Sequence, residues 1–473
     1  MTEPTDLTYV KTPVLEYFKL VGLNKYKSIG LHCEYGAKVV SAENGSGKTT
    51  LLNALYNLLT GKIARLLGLD FYEFVLKIAN VPEIRAKKAD LFLIPEPEFL
   101  AEVRQSPAGR RLVNHGLEDE EIVEMMLCLA VGDEGGYEAS SGFHKLYDET
   151  PFDRDDVRRM CEPLITMWRS RTGIEEIQQR IKTALGGVST LYLPTYRRIE
   201  TDLPEFKRVG AIQKSRANRA KEEWDSDRLI FFGLQDVDRR LKNITSDIRK
   251  STFEAYSRIS GRTLDQLLTL GPSNPASIDA NSEDIATLKL VLARLGKSNS
   301  ETEARITELV TSGQINEASH ENLRSFLSQL MEIYQDKRDA EQAIEAFASV
   351  VNRYWSMSSN EKEFRFDKLR VETEVVNNYT NATLPLEALS SGEKQIVSVF
   401  ARLYLDPGKR YLILIDEPEL SLSLEWQKAF LPDVLRAPSC EQLIAITHSP
   451  FVFENELDSY AGYLELQIGD PVR

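Results

Sequence analysis

An α/β fold, built as a sheet-containing head with a helical arm inserted into it, is what the sequence predicts. Three observations predict it. A strand, a glycine-rich turn and a helix follow one another over residues 37–59, a βα unit. Near the other end, the apolar run Tyr411-Leu412-Ile413-Leu414-Ile415 has the length of a fully buried strand and closes on two carboxylates. Between them, much of the chain carries apolar residues at helical spacing.

Taken in order, Val14–Leu20 and Ala37–Val40 read as strands, and Thr49–Leu59 reads as a helix with Leu51, Leu52, Leu55, Leu58 and Leu59 on its apolar face. Asp70–Ile94 reads as two further strands separated by Asn80-Val81-Pro82. From Ala101 to Ala184 the pattern is polar and helical around the loop Gly132–Gly136, as in an insertion. Leu191–Pro194 is a strand leading into Thr195-Tyr196-Arg197-Arg198, and Lys207–Arg228 is a mixed-charge, mobile stretch before Leu229–Phe232 restores order. Asp236–Ile259 is helical, Leu270–Pro275 breaks the pattern, and helices resume near Asp284. The longest candidate helix runs from Asn322 to Tyr354 and spans roughly 50 Å at 1.5 Å per residue. The resulting division is 1–100 for the N-terminal head half, 101–185 for a helical insertion, 186–235 for middle strands, 236–360 for the arm and 361–473 for the C-terminal head half.

Composition bounds the function. A chain of 473 residues holds two to four lobes at ~100–200 residues each. With 42% hydrophobic residues it can bury a sizeable core, which excludes a disordered, collagenous or disulfide-scaffold protein. The net charge of −14 works against sequence-independent binding of a polyanion. Cys33, Cys128, Cys161 and Cys440 form no CxxC pair, so buried reduced thiols are expected rather than structural zinc. No apolar run approaches the ~18–20 residues of a membrane span, and Met1–Asp6 is acidic and polar, so a cytoplasmic protein is expected.

Four elements carry chemistry. Ala42-Glu43-Asn44-Gly45-Ser46-Gly47-Lys48-Thr49 fits a P-loop with Ala in place of the first Gly. Asn44, Gly45, Ser46, Gly47, Lys48, Thr49 and Thr50 are the candidate contacts to ATP. Backbone N–H groups curl round the phosphates, Lys48 reaches the β- and γ-phosphates, and the Thr49 hydroxyl ligates Mg²⁺. The second is Asp416-Glu417 at the end of the apolar strand: Asp416 holds the Mg²⁺ shell and Glu417 orients or deprotonates the attacking water. The third is Leu389-Ser390-Ser391-Gly392-Glu393 before an amphipathic helix, which by itself is an ordinary capped N-terminus. The fourth is the strand Leu443–Ile446 followed by Thr447-His448-Ser449-Pro450.

In this order and spacing the four elements resemble the ATP-binding-cassette ATPases, with Ser390, Gly392 and Glu393 in the signature and His448 as the switch histidine that contacts the γ-phosphate. The resemblance implies an ABC-type P-loop NTPase head. It also implies a head-to-head dimer, or a higher oligomer such as a hexamer, in which Ser390 and Gly392 of one protomer cap the ATP held by the other. About 340 residues separate P-loop from signature, which is similar to the Rad50/SMC/RecF and OLD-type branch. The runs Asp416–Gln427, Thr447–Phe453 and Leu191–Arg198 resemble the compact ATPases of bacterial anti-phage operons, the AriA ATPases of PARIS systems first and the PtuA ATPases of Septu and retron systems next. That likeness implies a regulatory ATPase, activated by a phage trigger protein, that controls a separate nuclease toxin of Toprim-like AriB or HNH PtuB type. A DNA-repair ATPase of RecF/Rad50 type is the alternative, and a transporter ATPase is disfavoured by the long insertion.

Departures set limits on the likeness. Only 25 residues follow His448, where an OLD nuclease continues into a Toprim domain, and neither an HNH cluster nor a zinc-hook CxxC is present. No nuclease activity and no direct nucleic-acid ligand are therefore expected. Arg197 and Arg198 lie where a Q-loop glutamine falls in the family, and a charged surface pair is an equal reading. The basic residues from Lys207 to Lys221 are interrupted by acids, which favours a solvated loop over a nucleic-acid footprint.

Overall fold

A computed structural model of the chain describes residues 11–42, 45–91, 97–131, 134–171, 173–194, 234–269, 282–294, 300–406 and 408–469. The stretches expected at Thr195–Arg198, Lys207–Arg228, Leu229–Phe232 and Leu270–Pro275 lie outside these residues, as do Asn44 and Gly132-Asp133. The fold divides into two compact units, residues 1–230 with 409–436 and 440–473, and residues 231–408 with 437–439.

The first unit is an α/β head around two sheets. Its inner sheet is parallel, in the order β12-β3-β11-β10-β6, from Ala461–Gly462, Ala37–Ser41, Cys440–Thr447, Tyr411–Asp416 and Ser189–Leu193. Every residue of β10 is buried, the consequence of a strand with neighbours on both edges and cover on both faces. Register brings three strand ends level: Asp416 pairs with Ile446, and Thr447 with Ser41. All the loops that follow β3, β10 and β11 thus emerge side by side at the carboxyl edge of the sheet, where ligands bind in open α/β folds.

The second sheet is antiparallel, in the order β13-β2-β1-β4-β5, from Glu465–Ile468, Lys27–His32, Leu15–Leu23, Glu73–Ile78 and Ile84–Lys87. One core joins the faces of both sheets, with Phe18, Leu20, Ile29 and Phe74 from the second and Leu414, Ile444 and Ile446 from the first. The helix Lys48–Leu59 belongs to this core and is buried nearly all round, Leu51, Leu52, Leu55 and Leu58 among its hidden residues. Two elements differ from the sequence expectation. Strand β2 is unforeseen because Gly30 and two polar ends interrupt its alternation. After β5 the chain turns helical at Lys88–Leu91, where a strand running to Ile94 is expected.

The insertion consists of short helices from Pro97 to Leu185, packed through Met125, Leu146, Val157, Leu164, Trp168 and Ile181. Ser106 caps the helix Pro107–Asn114, its side chain accepting from the Gly109 N–H at 3.0 Å, with Pro at the first helical position. Gly109 is required there: a Cβ would lie 1.8 Å from the Val103 carbonyl oxygen.

The second unit is mainly helical. Helices Leu234–Thr269 and Glu321–Ser358, of 36 and 38 residues, pack against each other, with Ser282–Arg294 and Ser300–Thr311 alongside. At 1.5 Å per residue the longer one extends about 57 Å. A buried Arg294–Glu341 pair, bidentate at 2.7 and 2.8 Å, fixes the third helix to the long one. The antiparallel strands β7 (Lys362–Asp367), β8 (Glu372–Asn377) and β9 (Thr383–Leu384) and the helix Ser391–Tyr404 complete this unit. Tyr354 and Phe400 meet there with ring centroids 5.5 Å apart. Among the described residues, no helix is long and apolar enough to cross a membrane.

Candidate functional site

The turn after β3 needs glycine at two points. Gly45 (φ +78°) and Gly47 (φ +101°) both occupy the left-handed region, which lets the chain reverse before the helix begins at Lys48. Lys48 is buried. Its ammonium donates to the Ala42 carbonyl at 2.9 Å and meets the His448 ring through Nε2. Burial pulls the Lys48 ammonium below its ordinary value, and the carboxylates of Glu417, Asp416 and Glu419 oppose that shift. The Ser46 hydroxyl is buried with no hydrogen-bond partner among the described residues, a donor suited to a phosphate oxygen.

The Thr49 hydroxyl donates to Asp416 Oδ2 at 2.8 Å. A hydroxyl and a buried carboxylate side by side form the hard-oxygen pair that suits Mg²⁺, which binds through few protein ligands and keeps its waters. No group of three or more His, Cys, Asp or Glu side chains fit to hold a metal occurs among the described residues. The Thr49–Asp416 pair suits a cation whose other ligands are phosphate oxygens and water.

Glu417 follows with φ +53°, a left-handed conformation that costs a non-glycine residue about 1–2 kcal/mol. The turn is held by its N–H donating to the Ile446 carbonyl at 2.8 Å. Its carboxylate lies 3.7 Å from His448 Nε2. Lys48, Thr49, Asp416, Glu417 and His448, predicted from separate parts of the sequence, thus converge at the level ends of β3, β10 and β11.

Three residues of this neighbourhood escape sequence reasoning. Glu419 accepts the Thr447 hydroxyl at 2.7 Å on one oxygen and the His448 N–H at 2.8 Å on the other. It fixes the backbone that carries the histidine. Its only sequence signal is a third carboxylate one proline beyond Asp416-Glu417. Gln427 continues the network, its Oε1 accepting from Ser449 Oγ at 2.9 Å. Lys27 is the third, a mostly buried lysine whose ammonium donates to the Ser46 carbonyl at 3.3 Å and braces the glycine turn from behind. A lone lysine on a short strand gives no signal for that contact.

Ser390, Gly392 and Glu393 lie in the second unit, at the start of the helix Ser391–Tyr404. Ser390 and Glu393 form a reciprocal capping box: the Ser390 N–H donates to Glu393 Oε2 at 2.7 Å, and the Glu393 N–H donates to Ser390 Oγ at 3.4 Å. Lys362 adds an ion pair to Glu393 at 2.9 Å. Burial pushes the Glu393 carboxyl up, but the Ser390 N–H and the Lys362 ammonium outweigh it and hold the group below its ordinary value. Gly392 is buried, Ser390 and Ser391 are exposed, and Thr50 sits half-buried in the first turn of the P-loop helix. A separate cavity of about 1180 Å³ opens in the helical insertion, lined by Phe152, Met160, Leu164 and Met167 with Arg111 and Arg159. It contains none of the residues just described.

The parallel sheet, the glycine turn on a helix N-terminus after β3 and the paired carboxylates at the end of β10, one strand removed from β3, form an α/β head of the P-loop ATPase type. Residues 232–454 match the family described as "AAA domain, putative AbiEii toxin, Type IV TA system", a span that starts after the P-loop and takes in Ser390, Asp416-Glu417 and His448. Among solved structures, the chain is similar to a Smc head domain with an extended coiled coil from Pyrococcus furiosus, solved bound to the C-terminal domain of ScpA. The identity is 15%, 96% of each chain is covered and the TM-score is 0.35. No curated protein matches the sequence.

Proposed function

We propose that the chain is a cytoplasmic ATPase that dimerises or oligomerises around ATP and serves as sensor and regulatory scaffold of an anti-phage system, controlling a separate nuclease toxin. The observation that carries the ATPase reading is the convergence of Lys48, the Thr49–Asp416 pair, Glu417 and His448 at one edge of the parallel sheet. In this reading the amides of Gly45 to Lys48 and the Lys48 ammonium bind the phosphates. Thr49 and Asp416 would hold Mg²⁺, which supplies charge neutralisation at the phosphates. Glu417 takes the proton of the attacking water, and His448 orients the γ-phosphate from the end of β11, between β3 and β10. Ser390, Gly392 and Glu393 of a second copy close the site.

The regulatory part rests on different support. The matching family is described by a toxin and a toxin–antitoxin system, a two-protein setting. The charge of −14 favours a protein partner over a nucleic acid. Within this class the AriA-like reading, with a Toprim-like partner and a phage trigger protein, is preferred to the PtuA-like one on the wording of residues 416–427 and 447–453.

The test is a pair of variants. Lys48→Ala is expected to lose ATP binding, whereas Glu417→Gln is expected to bind ATP, stop hydrolysis and accumulate as an ATP-bound dimer in sedimentation. Hydrolysis by Glu417→Gln at the unaltered rate overturns the assignment. DNA-stimulated hydrolysis would turn the choice towards a repair ATPase.

A further inference from the structure

Strand β13 is the edge of the antiparallel sheet, and it carries apolar side chains that the core does not cover. Leu466 is 49% exposed and Ile468 83% exposed. The register shows which way they face. Ile468 pairs with Lys27 and Leu466 with Ile29, and residues directly opposite in an antiparallel pair project from the same face. On that face the Lys27 ammonium donates to the Ser46 carbonyl, and a Cβ on Gly47 would lie 3.5 Å from Ile29 Cδ1. The alternate residues confirm the sense: Glu465 and Gln467 bond to Tyr17 and Lys19 on the other side. The exposed ledge of Leu466 and Ile468 therefore continues, one strand outward, the surface that touches the P-loop. It is also held in place, because the Gly469 N–H donates to the Tyr26 carbonyl at 3.0 Å and ties the end of β13 to the β1–β2 hairpin.

We infer that this ledge is the base-binding surface of the nucleotide site: Ile468, supported by Leu466, packs against the face of the purine of a nucleoside triphosphate whose phosphates lie in the P-loop. The inference rests on the P-loop reading above and adds to it the specificity element. A ribose separates base from phosphates, so a base needs an apolar surface set off to one side of the glycine turn. The ledge has that position and that chemistry, and it offers a flat contact with no polar partner to leave unsatisfied. An aliphatic platform without base-edge hydrogen bonds selects for a base over no base, rather than strongly between purines.

Titration calorimetry on the full chain with Mg²⁺ tests this, using ATP and inorganic tripolyphosphate as probes. Ile468→Ala is expected to weaken ATP about tenfold while tripolyphosphate changes by less than about twofold, and Leu466→Ala to act in the same direction but less. Since both side chains are exposed, circular dichroism and the melting point should be unaltered. Unchanged ATP affinity in Ile468→Ala and Ile468→Asp overturns the inference. So does equal weakening of both probes, which would make β13 a brace of the P-loop only. A change in sedimentation with the ATP-to-tripolyphosphate ratio preserved overturns it too, in favour of a surface between protein chains. Failure of the unsubstituted protein to bind either probe would instead remove the P-loop reading itself.

Discussion

Glu419 shows how much of the site depends on a residue that acts through its neighbours. Its two oxygens hold the Thr447 hydroxyl and the His448 N–H, so the imidazole beside Lys48 and Glu417 is aimed through this carboxylate. Hydrogen bonds to a charged acceptor contribute about 1.5–3 kcal/mol each. Glu419→Ala is therefore expected to lower ATP turnover roughly tenfold to a hundredfold at nearly unchanged KM, as His448 leaves its position. Glu419→Gln keeps one acceptor and should recover part of the loss. Steady-state kinetics of the two variants check this, and a KM effect without a kcat effect would mean that Glu419 serves binding instead. The left-handed Glu417 belongs to the same arrangement: its backbone is bent at a cost, and the bond to the Ile446 carbonyl keeps it so.

At the scale of elements, the insertion is stitched by polar contacts as well as by its core. Glu121, in the first turn of Asp119–Val131, accepts from Lys145 at 2.8 Å and from the Ser141 hydroxyl, both on the helix Ser141–Glu149. The Lys145 bond, then the Ser141 bond, lower the Glu121 carboxyl from 4.5 to about 2. A carboxyl depressed in the folded state stabilises fully above its unfolded value and loses that contribution as pH falls towards the folded one. The stability difference between the unsubstituted protein and Glu121→Gln is thus expected to be constant at neutral pH and to shrink between about 4.5 and about 2. Thermal melts across that window check it, and a pH-independent difference would deny the coupling. The long helices take their stability differently, from an apolar stripe and the buried Arg294–Glu341 pair.

For the whole molecule, the proposed composite site makes one prediction that no single chain can satisfy. Ser390→Arg should leave ATP binding by the P-loop intact and abolish hydrolysis, because a cation would face the nucleotide of the partner. Mixing it with Lys48→Ala creates heterodimers with one intact site each. An equal, random mixture should then recover about a quarter of the unsubstituted activity, since half the dimers are mixed and each has one working site of two. A mixture as inactive as its parents, with heterodimers shown to form by differential tagging, would count against a shared site.

The sequence by itself determined the elements that local pattern encodes. The run Tyr411–Ile415 could only be a buried strand, the glycines before Lys48 could only make a turn into a helix, and the 3.6-residue stripe after Asn322 marked the helix found at Glu321–Ser358. Other features were decided by tertiary structure alone. Strand β2 follows no clean alternation, and β13 joins it from some 440 residues away, pairing Ile468 with Lys27. Nor could residue order say that Glu419 would reach across to His448, or that Lys27 would brace the glycine turn. The physical reason is the same in each case. Periodicity reports which face of an element seeks the core, whereas edge pairing and carboxylate-to-backbone bonds between distant segments exist only once the chain has brought those segments together.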